Sequence, residues 1–196
     1  IGAVSAELCF GQTPATGDLH WKLTWDETFA NPPTQPNWEV LNCTLQFPLA
    51  GSSAIMASNV SIVNAQLVLG VAHEEVPCVT PPRHYSSSQV GSGYPCFSDR
   101  NARYGYLEAH IKLPDNPGVW PAFWTWIDYD CTGGDIGVDG EEIDIFEMTP
   151  GQLENGIVHD KYDMTTNLHV DDPSLFGGEA SYVDDYTDWH WYSIEW

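Results

Sequence analysis

Apolar and polar residues alternate along short stretches of this chain, and turn-forming residues separate these stretches. Residues 60–63 and 66–69 are two of them, and Asn64 and Ala65 lie between, so the pattern predicts two strands joined by a tight turn. Further alternating stretches cover residues 21–25, 104–113, 120–127, 141–148 and 190–196. No stretch has the sustained three-to-four-residue period of a capped helix, so we expect no long helix.

Many short strands with turns between them predict an all-β fold, either a sandwich or a barrel. We expect residues 1–196 to form a single domain, because all-β domains often reach roughly 200–250 residues. Residues 81–94 are rich in Pro, Ser, Gly and Gln, a composition that is typical of a surface loop.

The chain has five cysteines, which are Cys9, Cys43, Cys78, Cys96 and Cys131. They allow two disulfides and one unpaired thiol, and their spacing is not that of a zinc site. Cys78 and Cys96 flank the predicted loop, so we expect these two to form a disulfide. N-glycosylation sequons begin at Asn42 and Asn59. Together these features favour a secreted glycoprotein with disulfides.

Acidic residues far outnumber basic ones: 28 Asp and Glu against six Lys and Arg give a formal charge of −22. Such a surface repels nucleic acid and anionic membranes, so we expect neither as a partner. It also disfavours a heavily sulfated or uronic-acid polymer as a ligand. No apolar stretch approaches the ~18 residues of a spanning helix, and the chain starts without a charged-then-apolar leader. A secreted form would therefore have lost its signal.

Aromatic residues are abundant, with nine Trp, nine Tyr and seven Phe. Sandwich cores use many aromatic rings, so most of these rings are expected in the core. A second interpretation places several of the tryptophans along a sugar-binding cleft, because flat apolar rings suit the apolar faces of pyranose units. The composition alone leaves both interpretations open.

One predicted strand, residues 141–148, has a pattern of acids that asks for a chemical explanation. Side chains of a strand alternate between faces, so Glu142 and Asp144 share one face and the intervening isoleucines lie on the other. Perfect alternation would place Glu147 with the isoleucines. A single β-bulge near Ile145 would return Glu147 to the face of the other two acids. The sequence therefore predicts three carboxyls in a row.

A row of carboxyls suits glycoside hydrolysis, in which one carboxylate attacks the sugar and a protonated one donates to the leaving oxygen. Retention of configuration requires the two groups to lie roughly 5–5.5 Å apart. Asp144, in the middle, would hydrogen-bond the nucleophile, leave Glu142 ionised and keep Glu147 protonated. An exposed acidic edge strand is the alternative without function. The large apolar residues between the acids favour a half-buried central strand instead.

The stretch Glu-Ile-Asp-Ile-Phe-Glu that starts at Glu142 resembles the Glu-x-Asp-x-x-Glu signature of glycoside hydrolase family 16. It has the bulged form that laminarinases, agarases and carrageenases carry. Further segments that are similar to this family are residues 21–29, 37–38, 104–114, 118–124, 167–169 and 188–196. The resemblance implies a concanavalin-like β-jelly-roll sandwich of two antiparallel sheets, with substrate along the concave sheet.

The resemblance also implies roles for individual residues. It makes Glu142 the nucleophile, Asp144 its helper and Glu147 the general acid/base. Trp120 and Trp124 become candidates for stacking on glucosyl units, with core packing as the alternative for each.

Two further residues are candidates for contacts with the sugar. His169 would contact the substrate or support the acid/base, and a structural role is the alternative. Arg103 would contact sugar hydroxyls. No cofactor is expected, although the resemblance makes a structural calcium possible.

The expected activity is endo-hydrolysis of β-1,3- or mixed β-1,3/1,4-glucan with retention of configuration. Alternatives are a galactan-directed hydrolase of the agarase or carrageenase type and a non-catalytic β-glucan-recognition module. In the family, further strands follow the segment that ends here at Trp196. We therefore expect a jelly roll that is incomplete at the C-terminus. A second chain would supply the remaining strands, copies of the chain would swap them, or they were clipped off or not included in this sequence.

Overall fold

The structure is a computed structural model, and it describes residues 9–12, 22–34, 38–45, 53–92, 105–126, 142–148, 153–154, 157–158, 164–169 and 185–195. The chain forms two compact units: residues 1–111 with 195–196, and residues 112–194. Within the described ranges every element is a strand except one 3-10 turn at Ala57–Asn59. The predicted all-β class is confirmed. The described part contains no helix long and apolar enough to cross a membrane.

The described residues of the first unit form the strands β1 Cys9–Gln12, β2 Lys22–Trp25, β3 Glu39–Val40, β4 Ala54–Ile55, β5 Val60–Val63, β6 Gln66–Leu69, β7 Ala72–Val76, β8 Arg83–Ser87, β9 Val90–Gly91 and β10 Tyr106–Lys112. They form the sheets β10-β1-β2 and β4-β8-β7 and the pairs β3-β9 and β5-β6. Strand β10 ends at the boundary between the units. All these pairs are antiparallel except β4 with β8, which is parallel.

The β5–β6 hairpin has the turn that the sequence predicts. Its strands pair in register from Val60 opposite Leu69 onwards. Asn64 and Ala65 form the loop, and both have positive φ, 53° and 56°. Two central residues in this left-handed region are the mark of a type I′ turn, whose twist matches that of the paired strands.

Residues 81–94 are not the continuous surface loop that their composition suggests, because β8 and β9 lie within them. Strand β8 is the middle strand of its sheet. Its polar side chains are accommodated by hydrogen bonds: Ser86, which is fully buried, donates to Glu74 and accepts from Asn59 Nδ2 at 2.8 Å. A serine-rich stretch can therefore form an interior strand when its hydroxyls have partners.

The predicted Cys78–Cys96 disulfide is wrong, since Cys78 is bonded to Cys43. The two Cα atoms are 5.9 Å apart although 35 residues separate them in sequence. The sheet that contains β7 brings them together beside a buried cluster that includes Val76 and Val79. Such a long-range approach leaves no signal in the local sequence. Cys96 lies outside the described residues.

Three aromatic rings form a core in the first unit. Trp38 packs against Trp25 and Phe29 with ring centroids 5.3 and 5.5 Å apart, and all three are buried. Both oxygens of the Glu27 carboxylate accept hydrogen bonds from residues of this core. The carboxylate accepts the Phe29 backbone N–H at 2.8 Å and the Trp38 indole N–H at 3.1 Å.

The second unit contains β11 Ala122–Trp126, β12 Glu142–Glu147, β13 Leu153–Glu154, β14 Ile157–Val158, β15 Thr165–His169 and β16 Trp189–Glu195, whose last residue is assigned to the first unit. Strands β11, β12 and β15 form an antiparallel sheet with β12 in the middle. Phe146 on β12 is buried and packs against Tyr192 at 4.6 Å and Phe123 at 6.2 Å. This apolar packing fixes the strand that carries the acids.

Candidate active site

Strand β12 contains the β-bulge that its sequence predicts. Phe146 and Asp144, two positions apart on β12, pair with consecutive residues of β11. The pairing with β15 also shifts between Asp144 and Glu147. Ile145 is therefore the extra residue on β12 relative to both neighbours, and one inserted residue reverses the facing of everything that follows it.

The bulge brings Glu142, Asp144 and Glu147 to one face of the sheet. Directly opposed residues on paired strands project to the same side, and residues two apart on one strand share a face. On β11 the three acids are opposed by Trp126, Trp124 and Ala122. On β15 they are opposed by His169, Asn167 and Thr165. We call these nine residues the acidic face.

Asp144 is the deepest member of the acidic face, with only 2% of its surface exposed. Its Oδ2 lies 3.0 Å from His169 Nε2, so His169 donates this hydrogen bond when it carries its proton on Nε2. No N–H or hydroxyl of the described residues reaches the other oxygen, Oδ1. The carboxyl of Asp144 also hydrogen-bonds that of Glu142.

The pKa of Glu142 is raised to about 7. Burial of the side chain is the largest cause, followed by the charge of Asp144 and the hydrogen bond between the two carboxyls. The charge of Glu147 raises this pKa further, and His169 lowers it. Glu142 therefore keeps its proton to a higher pH than an exposed glutamate.

Glu147 is half-buried at the other end of the row. Its Oε1 accepts a hydrogen bond from the Trp120 indole N–H at 3.0 Å. The pKa of Glu147 is raised, first by burial and then by the charge of Asp144, while the Trp120 hydrogen bond and His169 act in the opposite direction. Glu147 therefore holds its proton to a higher pH than an exposed glutamate.

The free site does not have the ordinary pKa that the sequence led us to expect for Glu142, because the pKa of Glu142 is raised as well as that of Glu147. Sequence reasoning assigned an ordinary, ionised carboxylate to Glu142. It could not include the near-complete burial of Asp144, which places a second carboxyl against Glu142 away from water.

Comparison with known protein families identifies the family of this chain. Residues 52–196 match the sequence profile of the glycosyl hydrolases family 16. The chain belongs to this family. A beta-glucanase of Rhodothermus marinus is 26% identical to it over 190 residues, which cover 90% of this chain and 60% of that protein. An endo-1,3-1,4-beta-glycanase of Rhizobium meliloti is 32% identical over 93 residues, 47% of this chain and 17% of that protein. This chain thus spans less than two thirds of the length of either relative.

The structural comparison shows the fold. The catalytic domain of an endo-1,3-beta-glucanase (laminarinase) from Thermotoga petrophila superposes with a TM-score of 0.69 at 24% identity, over 90% of this chain and 70% of that one. The predicted family 16 jelly-roll fold is confirmed.

The acidic face contains most of the residues predicted for a family 16 site. Trp124 lies opposite Asp144 and is half-buried, whereas Trp120 is 61% exposed and contacts Glu147 through its indole N–H. His169 contacts Asp144 rather than the predicted acid/base. Arg103 lies outside the described residues.

Sequence reasoning missed Trp126 and Asn167, which also belong to the acidic face. The alternation of Trp124, Thr125 and Trp126 along one strand is a signal that could have found the first of them. Asn167 lies two residues before His169 in the predicted family-like segment, so the same alternation could have found it.

Glu142, Asp144 and His169 each offer a ligand atom within 4.8 Å of the others, which would suffice to hold a cation. Their proximity has another explanation, however. The His169–Asp144 hydrogen bond and the hydrogen bond between the carboxyls of Glu142 and Asp144 already link the three groups. The arrangement therefore fits an acid–base site without a metal.

Proposed function

We propose that this chain is the catalytic part of a retaining endo-β-glucanase that hydrolyses β-1,3- or mixed β-1,3/1,4-glucan. The observation that carries the proposal is the bulge at Ile145, which sets three carboxyls on one face of a sheet lined by tryptophans. Membership of the glycosyl hydrolases family 16 supports glycosidic-bond hydrolysis. The names of the relatives from R. marinus and R. meliloti support a β-glucan as the substrate.

In the first step, a carboxylate oxygen of Glu142 attacks the anomeric carbon of the bound sugar. The bond between this carbon and the glycosidic oxygen breaks, and Glu147 donates its proton to the departing oxygen. Glu142 attacks after its proton has left to solvent, so that it presents its negative charge to the sugar. A glycosyl ester on Glu142 results.

In the second step, Glu147 acts as the base. Ester formation has removed the negative charge of Glu142, and Glu147 is now ionised. It takes a proton from a water molecule whose oxygen attacks the anomeric carbon, and the ester bond to Glu142 breaks. The two displacements together restore the original configuration.

Neighbouring side chains position the acids for these steps. The Trp120 indole N–H donates a hydrogen bond to the Glu147 carboxyl, and His169 hydrogen-bonds Oδ2 of Asp144. Trp124, opposite Asp144, offers an aromatic surface for a glucosyl unit. Because each acid has a fixed neighbour, little reorganisation is needed when the substrate arrives.

The charge of the chain supports a neutral glucan rather than a sulfated galactan. The chain has only six Lys and Arg against 28 Asp and Glu, and three of these acids lie on the acidic face itself. A sulfate group would approach against this field and would find few cations to pair with.

Hydrolysis of laminarin and lichenan, with agarose and κ-carrageenan as controls, tests the proposal through the release of reducing ends. We expect the wild type to release product from laminarin and lichenan. Glu142→Gln should release none from either. With an aryl β-laminaribioside, whose leaving group needs no proton, azide added to Glu147→Ala should restore turnover and give a β-glycosyl azide, because azide needs no base to attack the ester. Binding of laminarin without product would instead indicate a recognition module, and product only from agarose or carrageenan would indicate a galactanase.

We also propose that the protein is secreted. The Cys43–Cys78 disulfide supports this, because disulfides persist mainly in oxidising compartments. Of the two sequons, the exposed Asn42 suits a glycan, whereas Asn59 Nδ2 donates to Ser86 Oγ and to the Ser87 carbonyl. Fractionation of the source cells, with blotting of cytosol and medium, tests the location; a purely cytosolic protein would contradict it.

A further inference from the structure

We infer that Trp126 is a sugar-stacking platform of the acidic face and binds a glucosyl unit beside Glu142. The inference rests on the proposed function only in taking the acidic face as the glucan-binding side. Trp126 has no part in the proton transfers described above. Its expected contribution is therefore to substrate binding and chain-length preference.

The sheet register places Trp126 next to Glu142. The two residues are direct cross-strand partners on β11 and β12, so both side chains project from the acidic face. On the other side of Glu142, β15 contributes His169. A sugar ring on Trp126 would thus have an aromatic surface beneath it and hydrogen-bonding groups at its edge.

Trp126 is exposed to an extent that is unusual for so large an apolar side chain. Its exposed fraction is 52%, whereas Trp124 on the same strand is half-buried. Its indole N–H makes no hydrogen bond to the described residues. An exposed ring of this kind gains free energy when an apolar surface covers it.

Trp124 holds the Trp126 ring in place. The two ring centroids are 6.1 Å apart and the rings are nearly perpendicular, at 82°. Edge-to-face packing of this kind is favourable and limits the rotation of the exposed ring. A ring that is already fixed loses little entropy when it binds a ligand.

The chemistry around Trp126 favours a neutral sugar over other ligands. The neighbouring carboxyls repel anionic ligands, and a single ring offers too little apolar surface for a stable protein interface. A pyranose has a face of C–H groups that suits the indole and hydroxyls at its rim that suit Glu142 and His169. A glucosyl unit meets each of these conditions.

Substitutions of Trp126 and of Trp120 should affect different kinetic parameters. The Trp120 indole donates to Glu147, so substitution there alters proton transfer. Substitution of Trp126 should raise KM and leave kcat at saturating glucan and its pH profile unchanged. This separation distinguishes a binding platform from a residue that supports the acids.

The test compares Trp126→Ala and Trp126→Phe with Trp191→Ala. Trp191 is the matched control, since it is 51% exposed and lies on β16 rather than in the three-stranded sheet. Titration calorimetry with laminari-oligosaccharides of two to six units would be carried out in the Glu142→Gln background, where no turnover occurs. We expect Trp126→Ala to weaken the binding of longer oligosaccharides about tenfold, as for the loss of roughly 50 Å² of covered apolar surface. Trp126→Phe should weaken it less, and Trp191→Ala should have no effect.

The outcomes separate this inference from the proposed function. Equal affinities for Trp126→Ala and Trp191→Ala, with unchanged KM in active enzyme, would overturn the inference while hydrolysis stands. Oligosaccharide binding that depends on Trp126 in a protein without hydrolytic activity would support the inference and reject the proposed catalysis. Near-ultraviolet circular dichroism of each variant ensures that only folded protein is compared.

Discussion

Carboxyl groups occupy two contrasting environments in this protein. In the first unit, Glu27 meets two donors, the Phe29 backbone N–H and the Trp38 indole N–H, and each of its oxygens has a partner. In the second unit, Glu142 lies against Asp144, and the nearest charges include another carboxylate. Both environments are partly buried. They differ in whether the neighbours of the acid donate hydrogen bonds or repel its charge.

The difference separates a stabilising acid from a reactive one. Donors around Glu27 pair with both of its carboxylate oxygens and tie the aromatic core together. Crowded carboxyls around Glu142 disfavour its ionised form, and formation of the glycosyl ester removes the charge that they oppose. We therefore expect substitution of Glu142 to abolish activity and raise stability. Substitution of Glu27 should lower stability and leave the activity of the folded protein nearly unchanged.

The largest expected effect is the loss of activity in Glu142→Gln. Without the nucleophile, kcat on laminarin should fall on the order of 10⁴-fold or more, as for other covalent catalysts. Glu27→Gln should keep kcat near that of the wild type at temperatures where it remains folded. Steady-state release of reducing ends measures both. A similar loss in both variants would remove the distinction between the two sites.

Next in size is the destabilisation expected for Glu27→Ala. This substitution leaves two N–H groups of the aromatic core without their acceptor, which should lower the free energy of unfolding by about 2–3 kcal/mol. Urea denaturation followed by tryptophan fluorescence measures the change. Asp26→Ala is the control, since Asp26 is exposed and its loss should cost less than about 0.5 kcal/mol. Equal effects of the two substitutions would contradict the role assigned to Glu27.

A smaller effect of opposite sign is expected for the stability of Glu142→Gln. The pKa of Glu142 is raised in the folded state, to about 7, so this residue lowers stability progressively as pH rises from its unfolded value to above 7. Glutamine carries no such charge. The free energy of unfolding of Glu142→Gln should therefore be higher than that of the wild type by about 1–2 kcal/mol at pH 8, after allowance for solvent screening. The difference should be small at pH 4.

Thermal unfolding of both proteins at pH 4, 6 and 8 measures this gain. Glu142→Gln should unfold at a higher temperature than the wild type at pH 8, and the difference should shrink towards pH 4. A difference that is independent of pH would mean that Glu142 is not held near a second carboxyl.

The smallest effects are shifts of the alkaline limb of the pH profile of kcat/KM, which reports loss of the proton from Glu147. Asp144→Asn removes a charge that raises the pKa of Glu147, so the limb should move to lower pH. Trp120→Phe removes a hydrogen bond that lowers this pKa, so the limb should move to higher pH. Shifts in the same direction would show that Asp144 and Trp120 do not act on Glu147 as the geometry indicates.

The sequence could predict the row of acids because a strand has a strict two-residue period. The place where Glu147 breaks that period located the bulge, and the structure has its extra residue at Ile145. The β5–β6 hairpin was equally predictable, because two residues between alternating stretches leave few turn types. Sequence alone is enough to predict the structure where the two-residue period of a strand or the residues of a turn determine it.

Features that depend on distant neighbours could not be predicted. The Cys43–Cys78 pairing follows from how β7, β8 and β4 assemble, and strand β8 is stable because Ser86 finds partners on other segments. The raised pKa of Glu142 likewise depends on a burial that only tertiary packing creates. No period or spacing in the sequence encodes these contacts.

Trapping of the glycosyl ester is the most direct test of the assignment of roles along β12. A 2-deoxy-2-fluoro-laminaribioside with a good leaving group forms the ester readily and hydrolyses slowly, so the labelled protein can be digested and sequenced by mass spectrometry. The label should be found on Glu142, and Glu142→Gln should remain unlabelled. A label on Glu147 or Asp144, or none on a protein that degrades laminarin, would contradict the assignment.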